Sequence, residues 1–200
     1  KAASVALSDG EKLLAESYQN TGLTHSQTLM SMAETLIESC GYTPQDIQAV
    51  AVAAGPGSFT GVRIGVAAAK GFAWGRELPC YGVSTLEAMA LQAGVWQGYI
   101  LPVMDARREQ VYNALFHAKD GKTERLCPDR AISLQELGEE IKNLSEPVFL
   151  IGDGSVLCYN TLKSTVPELV LPPEHRMHQR AAGVALAAGL QIAAGAPGDG

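Results

Sequence analysis

The sequence predicts an α/β protein of two domains, each a mixed β-sheet flanked by helices. Three observations lead there. Short apolar runs of strand length alternate with segments whose apolar residues recur at helical spacing. A hairpin followed by helix and strand segments is met twice, once on each side of Gly98, with no obvious sequence repeat between the halves. With 46% hydrophobic and 18% charged residues among 200, the chain can fill one large core or two small ones.

Residues 4–8 and 12–16 read as strands around Asp9-Gly10-Glu11, because an Asp-Gly turn takes up the positive φ of a tight hairpin. Over 26–40 the residues Leu29, Met32, Ala33, Leu36, Ile37 and Cys40 share one helical face, and Gly41 stands where a C-terminal cap belongs. A buried strand over 48–54 runs into Gly55-Pro56-Gly57-Ser58-Phe59-Thr60-Gly61, which feeds a small-residue helix over 62–74. A strand over 79–83 leads to Ser84, the N-cap of a helix ending near Ala93. Beyond Gly98, strands are expected over 99–104, 110–117 and 123–126, the last two joined by Lys119-Asp120-Gly121-Lys122. A helix over 133–144 follows, then a strand over 148–151, the turn Gly152-Asp153-Gly154 and a helix over 156–163. An alanine-rich helix runs from Ala181 to about 194. The expected domains are 1–97 and 98–179, with 180–200 a C-terminal helix free to pack back on the first.

Charge and cysteine usage narrow the function. A net charge of −6 argues against autonomous nucleic-acid binding, which needs a basic surface to displace the counterions of phosphates. Cys40, Cys80, Cys127 and Cys158 are scattered with no C-x-x-C pair, which reads as reduced, structural thiols in a cytoplasmic setting. No apolar run approaches the roughly 20 residues of a membrane span, and no signal peptide is seen. The chain begins without Met, already inside an alternating strand, so further residues are expected upstream.

Catalytic groups are sparse. His175 and His178 lie close together, but Pro172-Pro173 marks a loop and no cysteine or carboxylate cluster joins them. Ser58 lacks a nucleophile-elbow context and a nearby base, and neither a Walker loop nor a dinucleotide fingerprint occurs. Glu34 and Glu38 read as a solvated helix face. The turn over 55–61 admits two readings. Thr60 caps the helix while free N–H groups and Arg63 face an anion, or the glycines merely allow a tight reversal. The face Arg63, Ala67, Lys70, Trp74, with Met30 on the preceding helix, suits a packed helix-on-helix interface. Asp105-Ala106-Arg107-Arg108-Glu109 reads either as a solvated turn or as a contact for a phosphate or a carboxylate.

Three motifs together resemble the bacterial tRNA threonylcarbamoyladenosine biosynthesis proteins of the TsaB (YeaZ) family. They are Gly-Pro-Gly-Ser-Phe-Thr-Gly-Val-Arg-Ile-Gly over 55–65, Gly82-Val83-Ser84-Thr85-Leu86-Glu87, and Asp105-Ala106-Arg107 with Val111-Tyr112. The resemblance covers the first two thirds of the chain and weakens after Asn143. It implies two actin/Hsp70-like (ASKHA) domains and an accessory scaffold role without catalysis. The implied partner is a TsaD-like catalytic paralogue that transfers threonylcarbamoyl to adenosine 37 of tRNAs reading ANN codons. That paralogue holds a metal with a His-x-x-x-His pair, where this chain has Thr85 and Met89. The implied partner-binding residues are Leu29, Met30, Ala33, Ile37, Arg63, Val66, Ala67, Lys70 and Trp74. Ser58, Thr60, Asp105, Arg107 and Arg108 are the implied contacts for nucleotide or for a TsaE-like ATPase. No cofactor of its own is expected, with ATP or ADP at a complex interface. A TsaC-like threonylcarbamoyl-AMP synthase is an indirect partner, tRNA is reached through the complex, and a homodimer forms when the partner is absent. The family's first phosphate loop would precede Lys1, and its C-terminal tail would follow Gly200. The rival readings are an ATP-dependent transferase or metallopeptidase-like enzyme of the same fold, and a homodimeric nucleotide-binding module.

Overall fold

A computed structural model describes residues 2–21 and 25–199, with only the backbone of residues 25–27. It divides into two compact units: Lys1–Ala88 with Arg180–Gly200, and Met89–Gln179. The division falls within one helix rather than at 97/98. Met89 and Gln92 pack with the second unit: the Met89 sulfur lies beside Gly152, and Gln92 Nε2 donates to His178 O at 3.0 Å.

In the first unit, β1 (Ala3–Asp9) and β2 (Lys12–Gln19) form an antiparallel hairpin with an irregularity after Leu7. Helix α1 (His25–Ser39) ends in a Schellman turn, with Tyr42 N bonded to Ile37 O and Gly41 N to Glu38 O. Met32, Leu36 and Ile37 are its buried stripe. A βαβ crossover follows: β3 (Val50–Gly55), α2 (Phe59–Trp74) and β4 (Cys80–Ser84), with β3 and β4 parallel. Ser84 Oγ accepts from Glu87 N at 3.1 Å, which starts α3 (Thr85–Gln92).

The last helix, designated α7 (Ala181–Ala193), belongs to this unit and packs on β1, β3 and β4. Its orphan N–H groups are met by the first hairpin. Ala181 N donates to Ser4 Oγ at 2.9 Å and Ala182 N to Glu16 Oε1 at 3.0 Å, while Arg180 pairs with Glu16 at 2.7 Å. Gly183 sits so close to α3 that a Cβ there would lie 2.1 Å from Ala88 O.

The second unit is a seven-stranded sheet. Its central strand is β5 (Gly98–Arg107), followed by β6 (Gln110–Asn113), β7 (Phe116–Lys119), β8 (Lys122–Arg125) and β9 (Arg130–Ser133). Then come α4 (Leu134–Ile141), β10 (Val148–Ile151), α5 (Ser155–Leu162), β11 (Leu169–Val170) and α6 (Glu174–Met177). Strand β10 runs parallel to β5 and β11, and β6 and β7 run antiparallel to β5. Leu101, Val103, Val111, Leu137, Val148, Leu150 and Cys158 are fully buried in its core.

The single strand expected over 110–117 is two. It breaks at Ala114-Leu115, where Leu115 N donates to Cys127 Sγ and Leu115 O accepts from Leu126 N, so that β6 pairs with β9 and β7 with β8. Strands β9 and β11 were not legible in the sequence. The stretch 172–178, read as loop, contains one helical turn over Glu174–Met177, with Pro173 at its N-cap position and Pro173 O accepting from Arg176 N at 2.9 Å.

Candidate functional site

Helix α2 begins three residues earlier than its sequence suggests, because Ser58 and not Thr60 is its N-cap. Ser58 Oγ accepts from Gly61 N at 3.4 Å and Ser58 O from Val62 N at 2.9 Å. Phe59 and Thr60 therefore sit in the first turn, and both are exposed. The Arg63 guanidinium lies over the Phe59 ring, 3.7 Å from its centroid. Both side chains thus belong to one outward helix face, and Arg63 is engaged by the ring. Ala67, Lys70 and Trp74 continue that face, with Phe59 70% and Trp74 85% exposed. At 1.5 Å per residue it is roughly 22 Å long. Lys70 reaches Asp199 at 3.8 Å, an exposed pair that contributes little.

Among the other residues expected on this face, Leu29, Met30, Ala33 and Val66 are half-buried. Helices α1 and α2 pack side by side, which accounts for the covered part of each. Ile37 is only 6% exposed and belongs to the unit's own core. It is also the Schellman acceptor, so its place is structural. Phe59 is the residue that sequence reasoning missed. Its spacing of four before Arg63 and eight before Ala67 was the available signal.

The second unit brings Asp105, Arg107 and Arg108 together at the β5–β6 turn, all exposed. Arg107, Arg108 and Glu109 are three consecutive residues in the left-handed region, each costing about 1 kcal/mol relative to ordinary backbone. Arg107 N donates to Asp105 Oδ1 at 2.8 Å, and Leu134 N to Glu109 O at 3.0 Å, which hold the turn. The Gly152-Asp153-Gly154 turn abuts it, with Asp153 Oδ1 accepting from Asp105 N at 3.3 Å. Gly152 (φ 117) admits no side chain, since a Cβ would stand 2.1 Å from Val103 O. No acidic side chain pairs with Arg107 or Arg108 among the described residues.

Thr85 and Met89 are 2% and 1% exposed. No group of three His, Cys, Asp or Glu side chains suited to a metal occurs among the described residues. His175 is on α6 and His178 just beyond it, with the His178 carbonyl taken by Gln92. The His25 side chain lies outside the described residues. The four cysteines are free; burial raises the Cys80 thiol and pushes Cys158 to about 12. No helix among the described residues is long and apolar enough to cross a membrane.

Two α/β units, each placing an antiparallel hairpin before a parallel β–α–β crossover, define a protein of the actin-like (ASKHA) class. The comparisons agree. A family model described as tRNA N6-adenosine threonylcarbamoyltransferase (TsaD) matches residues 19–194. The chain is 38% identical over 153 residues to the tRNA threonylcarbamoyladenosine biosynthesis protein TsaB of Bacillus subtilis, across 76% of this chain and 67% of that protein. It is 40% identical over 108 residues to the protein of the same name from Escherichia coli, across 48% of this chain and 46% of that one. A solved structure described as YeaZ from Pseudomonas aeruginosa shares the fold with a TM-score of 0.74 at 23% identity, covering 99% of this chain and 90% of that one. The chain belongs to the TsaB family of tRNA threonylcarbamoyladenosine biosynthesis proteins.

Proposed function

We propose that this chain is an accessory scaffold subunit in the formation of N6-threonylcarbamoyladenosine at tRNA position 37. It binds a TsaD-like catalytic paralogue through the outward face of α2 and the adjoining half-buried residues of α1, and holds that paralogue in its active state. The observation that carries this reading is the continuous exposed run Phe59, Arg63, Ala67, Lys70, Trp74. A tryptophan and a phenylalanine flanking an alanine groove give a second helix large apolar contacts and a close backbone approach. Leu29, Met30, Ala33 and Val66 line the same side, each with part of its surface left to cover.

The chain itself contributes no catalytic side chain. Thr85 and Met89 support this: a hydroxyl is a poor metal ligand and a lone thioether favours soft metals. The Asp105-Ala106-Arg107-Arg108 turn presents exposed guanidinium groups with no acidic partner among the described residues, which suit a phosphate or an acidic surface, and is the contact for a TsaE-like ATPase or for ATP or ADP at the complex interface. Ser58 and Thr60 are secondary candidates for that contact. A TsaC-like synthase is an indirect partner, tRNA is met through the complex, and the setting is the cytoplasm. Without its partner the chain pairs with a second copy through the same helices.

The test mixes the protein with its catalytic paralogue and reads mass by size-exclusion chromatography with light scattering. Wild type is compared with Ala67→Glu, which places a charge in the groove at an exposed position. A heterodimer formed by wild type and lost by the folded variant is the expected result. A heterodimer that persists in the variant removes α2 from the interface. No complex under any condition, with ATP and the ATPase included, overturns the scaffold reading.

A further inference from the structure

Several backbone amides around the β5–β6 turn are already engaged inside the protein. Asp105 N donates to Asp153 Oδ1 at 3.3 Å and Arg107 N to Asp105 Oδ1 at 2.8 Å. In the adjoining glycine turn, Gly152 N donates to Met177 O at 2.7 Å, Gly154 N to Val103 O at 3.1 Å and Ser155 N to Gly152 O at 3.1 Å. A loop that cradles a phosphate offers such N–H groups to its ligand. Here carboxylates hold the first two of these amides and carbonyls hold the others. Asp105, Glu109 and Asp153 are exposed beside Arg107 and Arg108, so two guanidiniums against three carboxylates leave the junction net negative. A nucleotide's phosphate chain would bring several more negative charges to that place.

A single carboxylate meets a different situation. The two guanidiniums have no acidic partner among the described residues. They stand on a left-handed turn pinned at both ends, by Arg107 N on Asp105 and by Leu134 N on Glu109 O at 3.0 Å. A pinned turn loses little freedom on binding. A carboxylate takes a guanidinium as a fork of two parallel bonds and brings one charge only.

Helix α5 supplies an apolar half. Gly154 packs on the β5 end so closely that a Cβ there would lie 3.2 Å from Asp105 N, and α5 starts at the next residue. The helix buries Ser155, Cys158 and Leu162, which leaves Val156 45% and Leu157 40% exposed, with Asn160 and Thr161 exposed a turn further on. From Gly154 to Leu162 the chain carries no charge. A nucleic-acid backbone, polyanionic and without large apolar groups, matches neither the net charge of the junction nor the valine–leucine pair.

We propose that the β5–β6 turn and the first turn of α5 form one docking surface for a protein. Carboxylates of the partner fork onto Arg107 and Arg108, and a large apolar side chain of the partner seats on Val156 and Leu157. This inference rests on the reading of the Asp105 turn as a contact and chooses between the occupants named for it: the ATPase subunit, and not ATP or ADP.

The test titrates the labelled TsaE-like ATPase with this chain, alone and in complex with its TsaD-like subunit, and reads affinity by fluorescence anisotropy at low and high salt. Two double variants are compared with wild type, Arg107→Gln with Arg108→Gln and Val156→Ser with Leu157→Ser, each checked for folding by urea titration. Each pair is expected to raise the dissociation constant at least about tenfold. The arginine pair is also expected to flatten the salt dependence, and the α5 pair to leave it as in wild type. A benzophenone side chain placed at Asn160 should crosslink to an ATPase peptide that contains Asp or Glu, and this readout decides if the α5 pair does not fold. Unchanged affinity in both folded pairs overturns the surface and leaves the ATPase bound elsewhere; loss with the arginine pair alone overturns its apolar half. Heat on titrating ATP into the chain that vanishes in the arginine pair would make the turn a nucleotide site. Transfer-RNA binding that falls with the arginine pair and not with the α5 pair would make it an RNA contact. Either result overturns the proposal. An ATPase that does not bind wild type at all overturns the contact reading beneath it, an outcome distinct from unchanged affinity in the variants.

Discussion

Replacing Trp74 with alanine separates partner binding from folding. The side chain is 85% exposed, so removing it costs the free protein no more than about 0.5 kcal/mol. A tryptophan presents about 250 Å², which leaves roughly 210 Å² for a partner to cover. At about 25 cal/mol/Å² that is an upper bound near 5 kcal/mol, of which interface tryptophans realise about 2–4 kcal/mol. At 1.4 kcal/mol per decade, the dissociation constant for the TsaD-like subunit rises about 30- to 700-fold. Isothermal titration calorimetry at 25 °C reads the affinity, and urea unfolding of the free variant reads the stability. An affinity within threefold of wild type, with an unchanged unfolding midpoint, would refute the assignment of the α2 face. A large loss of stability would instead place Trp74 in a core.

Ile37→Ala does the opposite: it lowers unfolding free energy by about 2–4 kcal/mol in a urea titration, because the side chain is 6% exposed, and a loss under 1 kcal/mol would mean α1 is not seated as described. Gly183→Val drives a Cβ to 2.1 Å from Ala88 O and is expected to cost about 3 kcal/mol by thermal unfolding, whereas a neutral result would refute the close approach of α7 and α3. Glu136 is held below its ordinary 4.5 by the hydroxyl and backbone N–H of Ser133. A carboxylate lowered on folding stabilises above its unfolded value and loses that contribution as pH falls through the folded one, so Glu136→Gln should flatten the acid limb below pH 4.5 and leave pH 7–8 behaviour level. Cys158, with its thiol near 12, should not react with a disulfide reagent at pH 8 until the protein is unfolded; rapid native labelling would place it outside the core.

The elements with strong periodicity are legible in the sequence: the hairpin at Asp9-Gly10, α1 with its Gly41 stop, and the βαβ crossover through α2. What the sequence hid has physical causes. Four-residue β9 and two-residue β11 are too short for alternation to register, and they exist because sheet edges were waiting for them. The break at Ala114-Leu115 interrupts an apolar run that reads as continuous, since the bend comes from pairing with two different strands. At the candidate site the glycine turn was visible and its cap was not. Ser58 and Thr60 are both good caps, and only the backbone decides between them. Ile37 shares the outward-looking helix with Met30 but points to the core, a distinction that heptad spacing alone does not draw.

The return of α7 to the first unit has a consequence for synthesis. Ribosomes add roughly 5–20 residues per second and domains fold as they emerge. The second unit is one uninterrupted stretch, Met89–Gln179, and so is complete before the first. During the roughly 5–20 seconds between synthesis of Ala88 and of Ala193, the hairpin carries Ser4 and Glu16 with no helix start to cap, and one side of β1, β3 and β4 is bare. The hairpin, made before the second unit, is therefore buried after it. A nascent chain stalled before Arg180 displays apolar strand surface to chaperones, and one released after Ala193 does not.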